Sequence, residues 1–570
     1  MAAEEPPLEV EMWREIRLRS QNVGKPAELG IDDDQRDIRH EVQQVAATAT
    51  DGDRRDEEQH GVAIRRHRQV EEANPNGEEG KRDSSRQRDL RRIEVSTWWA
   101  PTLAALVAAL LALGARVAFW GAPLTADEGG YAQIARLWDN GAALYRGAWV
   151  DRPQGLLLVY RGLLEVGGGS TESLRIVAAA VSMLIVIATV VVAVRICGTI
   201  EGIAAGLLLA TFAASPFIES FTLSGELLAA FPAVLSLLAF TAYLRSRHLV
   251  WLAVAGLLTG CAVMIKQSAF DAGLAAVAFL LITERRRAYG AVILVLAAFV
   301  PVAIAAWTAP HAQDWWNAVV AYRAEGDSLF TGSPLHRIDQ LIGSMQAAAR
   351  GLGVLALLAA IGWRSSPLLA RLWLGAAVIG VLGGGNFHSH YYIQLAAPLS
   401  ILAAVGLREL LVVRRPLATA ACGAAALATL IVTVPLWFAG GPAQARAIWP
   451  KDGRLVHSAA VADYVRTHTA PNDRIFVLWA GAEVYYLADR RPALPYMWYR
   501  NVESIDTALT SARRLLARRR PALVVLVQGP DTIDSTGITG RILRRKYRIA
   551  TFVEGIPILE VRPRAYGFQS

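Results

Sequence analysis

From Trp98 to Phe438 the chain is a succession of apolar segments, most of them close to the roughly 17–25 residues that cross a bilayer. Eleven spans are expected, at about 98–120, 173–194, 199–217, 222–244, 249–265, 268–283, 288–308, 350–363, 370–386, 391–412 and 417–438. Hydrocarbon offers no water to the backbone, so each spanning segment has to satisfy its N–H and C=O groups internally. Long apolar runs do this only as helices. The predicted fold class is therefore a polytopic α-helical membrane protein.

Charge divides the chain at the first span. Residues 1–97 hold 17 basic and 23 acidic side chains, whereas the remainder holds 41 and 27. The first part has no apolar periodicity able to bury a face and is expected to be a disordered cytoplasmic tail. An alternative is a start nearer the membrane, at Leu90 or Val95, from a codon other than Met. In the second part the excess Arg falls at alternate turns: Arg91/Arg92, Arg195, Arg245/Arg247, Arg285-Arg286-Arg287, Arg364/Arg371 and Arg414/Arg415. That periodicity is the positive-inside pattern, and it explains the charge without nucleic acid as a partner. With an odd span count, the C-terminal part lies outside. The three cysteines, Cys197, Cys261 and Cys422, sit singly in apolar runs, with no paired spacing for a disulfide or metal site.

The other set of turns gathers ionisable and polar residues. The first loop, 121–172, carries Asp127-Glu128-Gly129-Gly130-Tyr131 and then Asp151-Arg152-Pro153-Gln154. Later turns add Glu219 and Glu226, Lys266 and Gln267, His311 with Asp314-Trp315-Trp316, and Asn386, His388, His390, Tyr391 and Tyr392. Charges at membrane depth are costly unless they face a cavity or one another, so five such turns on one side mark a site. Residues 440–570 change character again. A short amphipathic helix at 459–468, β-branched runs at 474–479, 522–528 and 549–561, and a helix bearing Arg513-Arg514 and Arg518-Arg519-Arg520 predict a small external α/β domain. The Arg run reads as a solvated face, or else as a contact for anionic lipid head groups.

Several of these motifs together resemble the GT-C membrane glycosyltransferases, in the branch of the protein O-mannosyltransferases and the lipid A aminoarabinose transferase. The matches are Asp127-Glu128 after the first span with Tyr131 and an Ala-rich stretch to Trp138, and then Tyr145 to Gly155. In the latter, Arg152 and Gln154 stand where the family has Lys and Pro. Further along come Glu226, Lys266-Gln267, His390-Tyr391-Tyr392 through Pro398, Asp473 to Val477, and Tyr485-Tyr486-Leu487. The resemblance implies a GT-C catalytic domain at 98–439. It also implies inverting transfer of a sugar from a polyprenyl-phosphate donor to a lipid, glycan or protein acceptor at the external face of the cell membrane. In that reading Asp127 is the general base, since an acceptor hydroxyl must lose its proton as it attacks. Arg152 and Lys266, with His390 and His388, are expected at the donor phosphate, where negative charge develops. Asp151, Glu226 and Tyr131 are expected to support them, and Glu128 to act beside Asp127.

Each residue also has a structural explanation. Asp127 can cap a helix, and Glu128 suits a helical first turn through the dipole alone. Arg152 and Lys266 can snorkel to the interface, and Glu226 can open a helix or orient Arg152. Trp315 and Trp316 fit an interfacial anchor better than a sugar platform. The residues name no certain cofactor, and a divalent metal stays open as an alternative. Two adjacent carboxylates can hold a divalent cation, but the spaced Asp-X-Asp form is missing. The rival class is a polytopic transporter or flippase for a lipid-linked or small-molecule substrate, which predicts charges near the midplane and a repeat between halves.

Overall fold

The computed structural model describes residues 99–212, 215–283, 288–325, 334–383, 387–413, 416–450 and 452–563. The expected tail at 1–97, with Arg91 and Arg92, the basic turns Arg285 to Arg287 and Arg414/Arg415, and Asn386 lie outside the described residues.

All eleven expected spans fall on helices. Using labels in chain order, these are α1 (Trp99–Val117), α4 (Thr171–Ile196), α5 (Thr199–Phe212), α6 (Gly225–Ser246), α7 (Val250–Ile265), α8 (Asp271–Thr283), α9 (Ala288–Thr308), α10 (Pro334–Gly362), α11 (Leu368–Gly383), α12 (Ile393–Val413) and α13 (Pro416–Trp437). Seven are long and apolar enough to cross a membrane, while α5, α7, α8 and α11 are apolar but only 13–16 residues long. The eighth departs most from expectation. Helix α10 begins at Pro334 rather than near 350, because its first turns carry Arg337, Asp339 and Gln340 and so do not score as apolar. Side chains are small where helices cross closely: a Cβ on Gly406 of α12 would overlap the Leu358 carbonyl of α10.

The first loop is not a loop. It folds into α2 (Ala126–Asp139) and α3 (Gln154–Gly167), two 14-residue helices that pack on each other. Helix α2 starts where Thr125 caps it, in a capping box with Glu128, and Gly168 in the left-handed region ends α3.

After α13 the chain builds a five-stranded sheet with helices on both faces. Its elements are α14 (Ser458–Thr467), β1 (Arg474–Val477), α15 (Ala482–Ala488), β2 (Arg491–Pro492), α16 (Asp506–Ala517), β3 (Leu523–Val525), α17 (Ile538–Lys546), β4 (Tyr547–Val553) and β5 (Ile556–Val561). Strand order is β2-β1-β3-β5-β4, with β2, β1 and β3 parallel and β5 antiparallel to both neighbours. The expected run at 549–561 is thus two strands, broken at Glu554-Gly555, which both take positive φ as a two-residue hairpin turn requires. Strand alternation sorts the sheet into two cores. Ile475, Val477, Val525 and Ile558 share a core with α14, α15 and the bundle, whereas Phe476, Val524, Leu559 and Tyr547 pack with Ala508, Ala512 and Leu516 of α16 and Leu543 of α17. The layers therefore run α2, α14 and α15, sheet, then α16 and α17 outermost.

Candidate active site

The first turn of α2 separates the two adjacent carboxylates. Thr125, not Asp127, is the N-cap, and Asp127 sits in the first turn, half-buried. It accepts two hydrogen bonds, from the Tyr131 hydroxyl to Oδ2 at 3.2 Å and from Trp498 Nε1 to Oδ1 at 3.1 Å. Glu128 points the other way and is fully buried. Its Oε2 accepts from the Thr125 backbone N–H and hydroxyl at 3.1 and 3.0 Å, and its Oε1 accepts from Leu223 N–H at 2.7 Å and pairs with Arg175. Glu128, expected as a second catalytic carboxylate beside Asp127, joins α2, α4 and the turn before α6. Both its oxygens are taken by the fold.

Arg152 lies beside Asp127 through one shared hydroxyl. Tyr131 donates to Asp127 and accepts from Arg152 Nε at 3.1 Å. Arg152 also donates to Asp151 Oδ2 at 2.8 Å, and the same oxygen pairs with Arg323. Burial works against the Arg152 charge, but Asp151, Tyr131, Tyr391 and Asp127 together outweigh it and hold the group well above the usual guanidinium range. The Asp151 carbonyl accepts from Gln267 Nε2 at 2.8 Å, which ties this segment to the end of α7.

The later turns form a second charged set. Lys266 pairs with Glu226, and its ammonium stands 3.8 Å from the Tyr391 ring centroid. His390 lies between two carboxylates, Nδ1 3.4 Å from Glu219 and Nε2 3.7 Å from Glu226, and its ring stacks on that of the exposed His388. Lys266 and Glu226 line a cavity that enters the bundle. Its walls are mostly apolar, including Ile185, Leu209, Leu227, Val234 and Ile393, with Asp271 among them. Among the described residues no set of three His, Cys, Asp or Glu side chains gathers as a metal site.

Of the expected residues, Asp127, Tyr131, Asp151 and Arg152 form one connected network, and Glu226, Lys266, His390 and His388 form the other. The long-loop aromatics join neither: Trp315 donates to Gln154 at 2.7 Å as packing, Trp316 is exposed, and Asp314 meets Arg146 at 2.9 Å.

Four further residues at the site carry little or no signal in the sequence. Arg323 and Arg175 are the partners of Asp151 and Glu128. Asp271, buried at the head of α8, accepts from Trp373 at 2.6 Å and Gln394 at 2.7 Å. Trp498 comes from the C-terminal domain, 371 residues from its partner Asp127. The one hint of it was the aromatic cluster Tyr496-Met497-Trp498-Tyr499 after Pro495. Its approach depends on Gly129 and Gly130, since a Cβ there would overlap Glu483 of α15 and the Trp498 ring.

This architecture has solved counterparts. ArnT from Cupriavidus metallidurans superposes with a TM-score of 0.52 when bound to undecaprenyl phosphate and 0.51 in the apo state. At 16% identity, both cover 82% of this chain and 98% of their own. The apo oligosaccharyltransferase of Archaeoglobus fulgidus superposes more loosely, at a TM-score of 0.47 and 15% identity over 76% of this chain and 70% of its own. Residues 151–307 match the family model of dolichyl-phosphate-mannose-protein mannosyltransferase. No curated protein matches the sequence. The chain has the fold of the GT-C membrane glycosyltransferases. It is a multi-pass membrane protein, with a small α/β region after its last span.

Proposed function

We propose that this protein is an inverting glycosyltransferase that moves a sugar from a polyprenyl-phosphate donor to an acceptor hydroxyl, at the external end of the bundle. Asp127 accepts the acceptor's proton as the oxygen bonds to the anomeric carbon, while the bond from that carbon to the phosphate oxygen breaks and the phosphate leaves with the electron pair. The observation that carries this reading is the Tyr131 hydroxyl, which links the half-buried Asp127 carboxylate to the Arg152 guanidinium. A proton acceptor and a cation for the leaving group are thus held one side chain apart. Lys266, lining an apolar cavity, and His390, beside Glu226, supply further cations where a lipid phosphate and the start of its chain would lie. Tyr131 and Trp498 orient Asp127, whereas Asp151 and Glu226 hold Arg152 and Lys266. That solved ArnT binds undecaprenyl phosphate supports a donor of this kind.

The test replaces Asp127 with Asn in membranes and compares sugar transfer and the polyprenyl-phosphate-sugar pool with wild type. Transfer is expected to stop and the unused donor to accumulate, which also names the sugar. Wild-type transfer by a correctly inserted D127N would overturn the mechanism. Transport without transfer would favour the rival class.

A further inference from the structure

Two cations line the bundle cavity, Lys266 and Arg116, and the transfer scheme uses only the first. Arg116 stands in the last turn of α1 and is 7% exposed. A cation near a helix end suits the dipole, and an interfacial Arg would snorkel outward. Arg116 instead turns back along its own helix. Its Nη1 donates to the Ala112 carbonyl at 3.0 Å, and its Nε donates to the Ser220 carbonyl at 3.1 Å.

The other buried arginines show what it lacks. Arg152 and Arg175 each pair with a carboxylate, and Arg490 places its donors on four backbone carbonyls and the Thr469 hydroxyl. Among the described residues, Arg116 has no carboxylate partner and its Nη2 makes no hydrogen bond. A guanidinium carries five N–H donors, so three stay unused beside the cavity. A buried charge in that state is costly, and an anion on the cavity side would relieve it.

The surroundings narrow the anion. Ser220 follows Glu219, whose carboxylate faces His390, and His390 also faces Glu226, the partner of Lys266. Arg116 thus adjoins the second charged set of the site. Glu226 offsets the charge of Lys266, whereas nothing offsets that of Arg116. Val186, Leu209 and Val234 line the same cavity. A small free ion would leave these apolar walls uncovered, while an anionic head group on a hydrocarbon chain meets both parts.

On the basis of the donor proposed above, we infer that Arg116 is a further binding residue for the phosphate of the polyprenyl carrier. Its planar fork suits two phosphate oxygens, and the apolar walls suit the first part of the chain.

The experiment uses the full chain in phosphatidylcholine nanodiscs, with undecaprenyl phosphate as the probe and undecaprenol as its uncharged control. Arg116→Gln is the sharpest variant, because the Gln amide nitrogen falls where Arg Nε lies and can still donate to Ser220. R116Q is expected to melt like wild type without ligand and to bind undecaprenyl phosphate about tenfold or more weakly. R116K keeps the charge but cannot hold Ser220 and an anion at once. It should also bind more weakly than wild type, and it carries the test if R116Q does not fold. Undecaprenol should bind alike to all three. Equal affinity of wild type and variants for undecaprenyl phosphate would overturn the inference. So would a parallel loss of undecaprenol binding, which would mark Arg116 as a structural tie between α1 and the turn before α6. Equal competition by dioleoyl phosphatidate or by inorganic phosphate would overturn it too, since the site would then take any phosphate. All these outcomes leave the polyprenyl-phosphate donor standing. A wild type that did not bind undecaprenyl phosphate would remove that donor, and the role of Arg116 with it.

Discussion

Asp127 and Glu128 are neighbours in one helical turn, yet they belong to different regions of the molecule. Asp127 looks toward the open network of Tyr131, Arg152 and Trp498, and it is half-buried with only two neutral donors on its oxygens. Glu128 looks into the bundle, where Arg175, Leu223 and Thr125 saturate it at zero exposure. In the proposed mechanism the same functional group is thus a reagent on one side of α2 and a rivet on the other. Partner saturation, more than residue type, separates the two. A carboxylate whose acceptor sites are taken by buried donors has none left for a substrate. The sharpest way to break this comparison is Asp127→Asn: transfer is expected to fall by about 10²–10⁴ while melting behaviour stays near wild type.

Glu128→Ala is the mirror experiment. It leaves the Arg175 guanidinium buried without its carboxylate and removes half of the capping box of α2. A loss of about 3–5 kcal/mol of stability is expected, seen as a lower melting temperature in detergent and less protein in the membrane. Activity per folded molecule should change far less than in D127N. If Glu128→Gln folded normally and abolished transfer, the division between the two sides of α2 would collapse.

Arg152 sharpens the reagent side. Lys in its place keeps the charge but cannot hold Tyr131 through Nε while also reaching Asp151. Transfer by R152K is expected to fall about tenfold, with the donor KM rising, as follows from losing one charge-assisted hydrogen bond at a partly buried site. A purely interfacial Arg would tolerate the change.

The membrane spans were legible because hydrocarbon imposes one rule, and long apolar runs satisfy it in one way. Where a helix carries polar turns the rule goes quiet, which is why α10 starts about sixteen residues before its apolar run and why α2 and α3 carry a mainly loop-like pattern. The expected site was legible only as a list. Sequence put Asp127, Arg152, Lys266 and His390 at one end of the bundle, but it could not say that Tyr131 joins two of them or that Glu128 turns away. Those facts depend on side-chain direction around a helix start that the capping box fixes at Thr125 rather than Asp127. Trp498 and Arg323 were beyond reach for another reason. Each meets its partner across more than 170 residues, and an isolated Trp or Arg carries no periodicity to betray it.

Trp498 gives the finest test, because it asks whether the C-terminal domain takes part on the reagent side or only covers it. Phe at this position keeps the ring that packs on Tyr131, at 5.8 Å between centroids, and deletes only the N–H that meets Asp127. One hydrogen bond to a half-buried carboxylate is worth about 1 kcal/mol, so kcat should fall about fivefold with the donor KM unchanged. Gly130→Ala attacks the same contact from the other side, since its Cβ would push the Trp498 ring away from Asp127. Both variants should therefore lose kcat, by different means. If W498F kept full kcat while D127N was dead, the domain would be a lid over a site completed by the bundle alone. If both variants raised the donor KM instead, Trp498 would belong to donor binding, and the half-buried side of α2 would need a different base-orienting partner than Tyr131 and Trp498 together.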